Sequence, residues 1–294
     1  MNGSRITGER IGLGMVLGVL AYSLFALHDA SNKCLVERLP VPEVLFFRSL
    51  AILAGVLIAS RGRVLTGMLA STMKGPLALR GVLTLVAWVF YYTAAQQLSL
   101  AQLTTLYYSS PLLTTILAKP MLGERVTRLR WICVGIGFVG VLVASDPLGI
   151  PLSVSTALVL AAAVMWALGV ILMRQIAHRE SSMLQVFAQN LVFLVGTAVL
   201  SAWHPSMPHG IEWLLLIEIG VFGGLGQYLL FEAARIAPAA VMATVEYVSL
   251  TWAFVLGYLV FGDIPRVAVF VGAGVIMLAG AILVLGESRK RVVA

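Results

Sequence analysis

The chain has 294 residues, of which 60% are hydrophobic and only 11% charged, and its mean hydropathy of +0.98 excludes an ordinary soluble domain, in which about a quarter of the residues carry charge. The net charge of +7 would suggest nucleic acid in a soluble protein, but here the basic residues fall between apolar runs and read as an orientation signal. Two cysteines, Cys34 and Cys133, fall near opposite membrane faces and offer neither a disulfide framework nor metal-ligand spacing.

Apolar runs of about 20 residues, enough to cross roughly 30 Å of hydrocarbon at about 1.5 Å per residue, lie near 10–33, 42–60, 77–98, 101–119, 127–145, 152–175, 182–202, 211–235, 238–261 and 265–286. They predict an all-α polytopic membrane protein with ten transmembrane helices. The first run is longer than a signal-peptide core and no small-residue cleavage site follows it, so it is read as a span. With the N-terminus inside, 16 of the 20 basic residues fall on the cytoplasmic side, and both termini are then cytoplasmic.

A polar side chain at membrane depth costs several kcal/mol unless it is paired or wet, so each is a candidate for a site. In the first span, Asp29 and Lys33 are four apart and share a helix face, which favours a structural ion pair at the outer boundary over direct substrate contact. His28, next to them, is open to capping the cavity, titrating, or sitting at the interface. Arg48, in the second span, either snorkels or pairs with an acid of the first helix. The third span brings Trp88, Tyr91 and Tyr92.

The fourth span, with "QLTTLYYSSPLLTT", is the most polar, and Pro111 leaves a backbone carbonyl without its helical donor. Its hydroxyls, among them Tyr108 and Ser110, either line a cavity or serve tight small-residue packing. The glycines of "GIGFVG" in the fifth span read as packing, whereas those of "GVFGGLG" in the eighth read as packing or as a gating hinge. Trp88, Ser110, Trp166, Gln227 and Ser249 count to the mid-membrane layer, with aromatic walls suited to a flat or apolar substrate. In the ninth span, "VEYVS" sets Glu246, Tyr247 and Ser249 at the same depth. Glu246 has no charge partner within a turn, so it is a candidate for a substrate ammonium or a proton, or for pairing with a base from another helix. His204 and His209 in "WHPSMPHG" are read as part of an outer loop, and no metal site is expected.

The chain also matches itself. Ala94-Ala95, Thr105, Tyr108, Ser110, Gly123 and Gly135 meet Ala233-Ala234, Thr244, Tyr247, Ser249, Gly262 and Gly274 at a constant shift of 139, and Ala26-Leu27, Lys33 and Phe46 meet Ala167-Leu168, Arg174 and Phe187 at 141. Residues 1–145 and 146–294 are thus expected to be two five-helix repeats. An odd number of helices inserts the second copy upside down, a feature of transporters.

"FALHDASNKCLVERLPVPEVLFFRS", "SSPLLTTILAKPMLGERVTRLRWICVGIGFVGVLV" and "APAAVMATVEYVSLTWAFVLGYLVFGDIPR" resemble EamA-type members of the drug/metabolite transporter superfamily, with Gly262-Asp263 where the family has Gly-Glu. The resemblance implies two inverted halves around a central cavity in a bacterial inner membrane. It also implies alternating access, with bacterial exporters of amino acids, aromatic ones included, as the nearest members.

The expected function is therefore secondary export of amino acids, aromatic side chains suiting the walls, or of related small metabolites. The alternative is import of another metabolite, such as a nucleoside or an S-adenosylmethionine-like compound. The expected substrate-binding residues are His28, Trp88, Tyr92, Tyr108, Ser110, Trp166, Gln227, Glu246, Tyr247 and Ser249, with Asp29, Lys33 and Arg48 as the structural ion pair. No cofactor and no nucleic acid are expected; the partners are the small-molecule substrate and the lipid bilayer, and the protein is a monomer. An enzyme acting on lipid would need a paired acid/base or a phosphate-binding motif near one face, and none is evident.

Overall fold

In the computed structural model the described residues are 2–110, 113–114, 116–117, 121, 128–144, 153–177, 179–201, 207–236 and 239–292, and the regular elements among them are all helices. These are α1 (Asn2–Val36), α2 (Val41–Ser60), α3 (Arg63–Ala70), α4 (Lys74–Ala95), α5 (Leu100–Tyr107), α6 (Arg128–Ala144), α7 (Val154–Ala177), α8 (Ser182–Ser201), α9 (Ile211–Ile236), α10 (Ala239–Phe261) and α11 (Val267–Val292). Six stretches are long and apolar enough to cross a membrane: Gly12–Val36, Val41–Ser60, Lys74–Ala95, Val154–Met173, Ser182–Ser201 and Ile211–Ile236. The protein is a multi-pass membrane protein. In hydrocarbon a helix satisfies its own backbone groups, which is why these runs are helical.

Local sequence chemistry sets the ends. Pro42 opens α2, where a missing N–H is harmless. Arg61 and Gly62 (φ 51° and 75°) turn the chain out of α2 into α3, a short helix that the sequence reading missed. Ser99 and Gln102 form a capping box at the start of α5. The expected fourth span of 101–119 is not continuous among the described residues: α5 stops at Tyr107 and Tyr108-Ser109 form a turn. Pro111, itself outside the described residues, has no N–H for the carbonyl four residues back, at Tyr107, and helix resumes at Ser110.

The helices pair α1 with α9, α4 with α7, α2 with α8, α6 with α11, and α1 with α10. Glycines set the closest of these approaches. A Cβ on Gly220 would stand 2.5 Å from the Ala51 Cβ, one on Gly81 2.8 Å from Val192, and one on Gly223 2.9 Å from His28 Cδ2. The "GVFGGLG" glycines of α9 are therefore where α1 and α2 dock. Of the apolar clusters that fill the interior, the two larger lie around Leu45, Leu85, Tyr92 and Phe193 and around Ile52, Leu77, Ile176, Phe187 and Phe231. Beside the first of them α1, α4, α5, α7 and α10 line a cavity.

Candidate functional site

The cavity occupies about 800 Å³, counting the part open to solvent. Each wall follows helical periodicity. α1 contributes Tyr22, Phe25, Ala26 and Asp29; α4 contributes Ala87, Trp88, Tyr91 and Tyr92; α5 contributes Leu100, Thr104, Tyr107 and Tyr108. Trp166 of α7 and Ser249 and Ala253 of α10 complete it. The aromatic rings meet edge to face: Trp88 with Tyr92 at 5.5 Å and Tyr91 with Tyr107 at 5.1 Å, with Tyr107 tilted on Trp166 at 6.2 Å. Tyr108 and Ser249 share a hydrogen bond of 2.5 Å between α5 and α10.

Asp29 is the charged residue of this lining. The Tyr92 hydroxyl donates to its Oδ1 at 2.7 Å, and His28 Nδ1 lies 3.2 Å from the same oxygen. Behind the wall, Arg48 Nε donates to His28 Nε2 at 2.7 Å, and Asn32 Nδ2 reaches the same nitrogen at 3.0 Å and the His28 carbonyl at 2.8 Å. With Nε2 accepting, the imidazole proton is assigned to Nδ1, facing Asp29. Arg48 Nη1 continues to Asn190 Oδ1 at 3.4 Å, and Asn190 Nδ2 donates to Gln227 Oε1 at 3.0 Å. One polar string thus runs from the cavity through α1 and α2 to α8 and α9. Trp88 lies across it, its ring 4.2 Å from the Arg48 guanidinium carbon.

Of the residues expected to bind substrate, Trp88, Tyr92, Tyr108, Trp166 and Ser249 line the cavity. His28 and Gln227 are buried behind it in the polar string, and Ser110 is buried with its hydroxyl unpartnered among the described residues. Glu246 and Tyr247 lie on α10 in the turn before Ser249, and their side chains are outside the described residues.

The expected ion pair of Asp29, Lys33 and Arg48 does not form. Lys33 Nζ turns to the end of α4, where it donates to the Ala95 and Leu98 carbonyls at 3.0 Å each, and stands 3.8 Å from Glu37. Carbonyls at a helix C-terminus lack intrahelical donors and draw a cation. Arg48 does not snorkel: it is 0% exposed and meets Asp29 only through His28. His28 packs edge to face on Trp88 at 5.4 Å, which brings this part of α1 to the aromatic layer. Sequence reasoning passed over Asn190; the signal was present in the amides Gln185, Gln189 and Asn190 of an otherwise apolar span.

The sequence pattern of the EamA-like transporter family matches residues 12–145 and again 154–286. Among named proteins, the chain is 26% identical over 283 residues to an S-adenosylmethionine uptake transporter of Rickettsia felis, covering 95% of this chain and 94% of that one. It is 27% identical over 281 residues to the pseudopaline exporter CntI of Pseudomonas aeruginosa, covering 94% and 97%. It is also 28% identical over 186 residues to a riboflavin transporter of Vibrio cholerae serotype O1, covering 63% of this chain and 62% of the relative. A crystal structure of another protein, 18% identical, shares the fold with a TM-score of 0.68 over 96% of this chain and 99% of the other.

Proposed function

We propose that this chain, which belongs to the EamA-like transporter family and is a transporter rather than an enzyme, moves an amino acid or amino-acid-derived metabolite out across a bacterial inner membrane by alternating access. The observation that carries the reading is the pairing of one carboxylate, Asp29, with walls of Trp88, Tyr91, Tyr92, Tyr107, Tyr108 and Trp166. A carboxylate anchors an ammonium through charge-assisted hydrogen bonds, and aromatic faces attract the same cation while stacking on an apolar side chain. Glu246 is the second acid on this wall in the proposal, with Tyr247 beside it.

A second reading rests on the same observation: a cationic, nucleoside-bearing compound taken up inward would use the same acid and rings, and the Rickettsia relative is named for uptake of one such compound. Counterflow distinguishes them.

We further take the ten expected spans as two inverted halves, 1–145 and 146–294, with both termini cytoplasmic. Specific contacts support this arrangement. The shift of 139 carries Gly81 to Gly220 and that of 141 carries Ala51 to Val192, so the close approaches Gly81–Val192 and Gly220–Ala51 are exchange partners. The same shifts carry His28 to Gly169 and Thr84 to Gly223, and the pairs His28–Gly223 and Gly169–Thr84 are also both in contact. The helix pairs α1–α9 and α4–α7 exchange likewise.

The deciding measurement is counterflow in proteoliposomes with a panel of amino acids, L-phenylalanine included, and with S-adenosylmethionine, each with and without a pH gradient. Saturable amino-acid flux that Asp29→Asn lowers at least tenfold and Asp29→Glu partly retains is the expected result. Folded protein with no saturable flux of any amino acid, or wild-type rates in Asp29→Asn, would refute the reading.

A further inference from the structure

Arg48 stands one side-chain layer behind the cavity, 0% exposed, and among the described residues no carboxylate lies within ion-pair distance of it. A guanidinium has five N–H donors. Among the described residues, Nε is taken by the lone pair of His28, Nη1 has only the 3.4 Å approach to Asn190, and Nη2 has no hydrogen-bond partner. The Trp88 ring covers its face. A buried guanidinium served by a neutral imidazole, one long amide contact and an indole lacks the anion that a buried charge calls for. The planar fork of an arginine suits a carboxylate, which can take two parallel N–H donors.

The imidazole that separates Asp29 from Arg48 suggests how that anion arrives. Its Nδ1–H faces the carboxylate and its Nε2 lone pair faces the guanidinium. An α-amino acid offers the same two connections with full charges, its ammonium donating to an Asp29 and its carboxylate accepting from an Arg48, the two groups being separated by a few ångströms as the ring nitrogens are. Trp88 is the partition: it lines the cavity on one side and lies on Arg48 on the other.

We propose that Arg48 is the carboxylate-binding half of the substrate site. When Trp88 swings aside, the substrate carboxylate replaces His28 at Nε and takes the vacant Nη2, while the substrate ammonium stays at Asp29. The assignment rests on the amino-acid reading above and adds to it the group that selects for a carboxylate. It also links occupancy to the helix packing. The α9 backbone at Gly223 abuts both groups, a Cβ there standing 3.0 Å from His28 Nε2 and 3.1 Å from Arg48 Nε, so exchange of partners at Arg48 bears directly on α9.

The test compares L-phenylalanine with L-phenylalaninamide in proteoliposome counterflow, at a pH low enough that both amines are protonated. In the wild-type protein the acid is expected to outcompete the amide at least tenfold. Arg48→Gln should bring the acid-to-amide ratio down to about one, whatever it does to the rate of the amide itself, and Arg48→Lys should keep part of the preference. If Arg48→Gln does not fold, as judged by elution and melting, the wild-type acid-to-amide ratio and the Arg48→Lys ratio decide. Equal counterflow of acid and amide in the wild type, or an undiminished preference in either variant, overturns the Arg48 assignment alone. Where another amino acid of the panel is carried in place of L-phenylalanine, that acid and its amide give the deciding ratio; no counterflow of any amino acid overturns the amino-acid reading, and the assignment with it.

Discussion

Gly223→Ala separates a packing role for the α9 glycines from a hinge. The added methyl would stand 2.9 Å from His28 Cδ2, 3.0 Å from its Nε2 and 3.1 Å from Arg48 Nε. None of these atoms is the loose end of a flexible chain. The ring is fixed by Asp29, Asn32 and Arg48, and the guanidinium by Trp88. Alanine favours a helix interior by about 1 kcal/mol over glycine. Against this stand about 1–3 kcal/mol for overpacking a tight contact and about 1–3 kcal/mol for a buried donor–acceptor pair pushed apart. The net loss is therefore about 1–5 kcal/mol.

Gly55→Ala is the control: nothing lies within 4 Å of the Cβ it would add, so only the gain in helix propensity remains. Thermal unfolding of the purified proteins in detergent should show Gly55→Ala at or above the wild type and Gly223→Ala clearly below it. A Gly223→Ala protein that melts as high as Gly55→Ala but transports slowly would refute the packing argument and mark a hinge. Stiffening a hinge raises stability while it slows motion, whereas a clash lowers stability first.

Lys33→Met should cost about 1–3 kcal/mol of stability, since it withdraws a charged donor from two carbonyls at the end of α4. It should change the KM for L-phenylalanine less than threefold; a large KM change with unaltered melting would put Lys33 in the substrate path. Glu246→Gln should lower counterflow at least tenfold if this acid holds substrate or proton, and a wild-type rate would remove it from the site.

The six long spans were legible because length and hydropathy decide them, and the residues facing the cavity on α1, α4 and α5 follow the spacing that puts i, i+3 and i+4 on one face. Pairing was not legible. Asp29 and Lys33 share a face by spacing, yet spacing cannot say that the end of α4 offers Lys33 two carbonyls or that Tyr92 and His28 claim Asp29. The reach of α1 was not legible either: it runs on to Val36 rather than ending near 33, and at about 1.5 Å per residue those few residues amount to most of a turn. Nor could spacing say that His28 stands between Asp29 and Arg48.

The proposed two-fold gives this cluster a further meaning. A shift of 141 carries His28 to Gly169, Asp29 to Val170 and Arg48 to Gln189. The backbone contact is kept in both halves, with the glycine on opposite partners, but the charges exist in one half only. In the second half the contact is a plain approach of Gly169 to the Thr84 methyl at 3.0 Å, and Gln189 is buried with its carbonyl oxygen unpartnered. Two like charged clusters facing one another across a single cavity would double the desolvation cost without adding a second substrate. In the proposed function the symmetry therefore serves the alternating scaffold, and the proposed recognition of the substrate's charged groups is centred on α1 and α2, where Asp29 reaches the cavity and Arg48 lies behind Trp88.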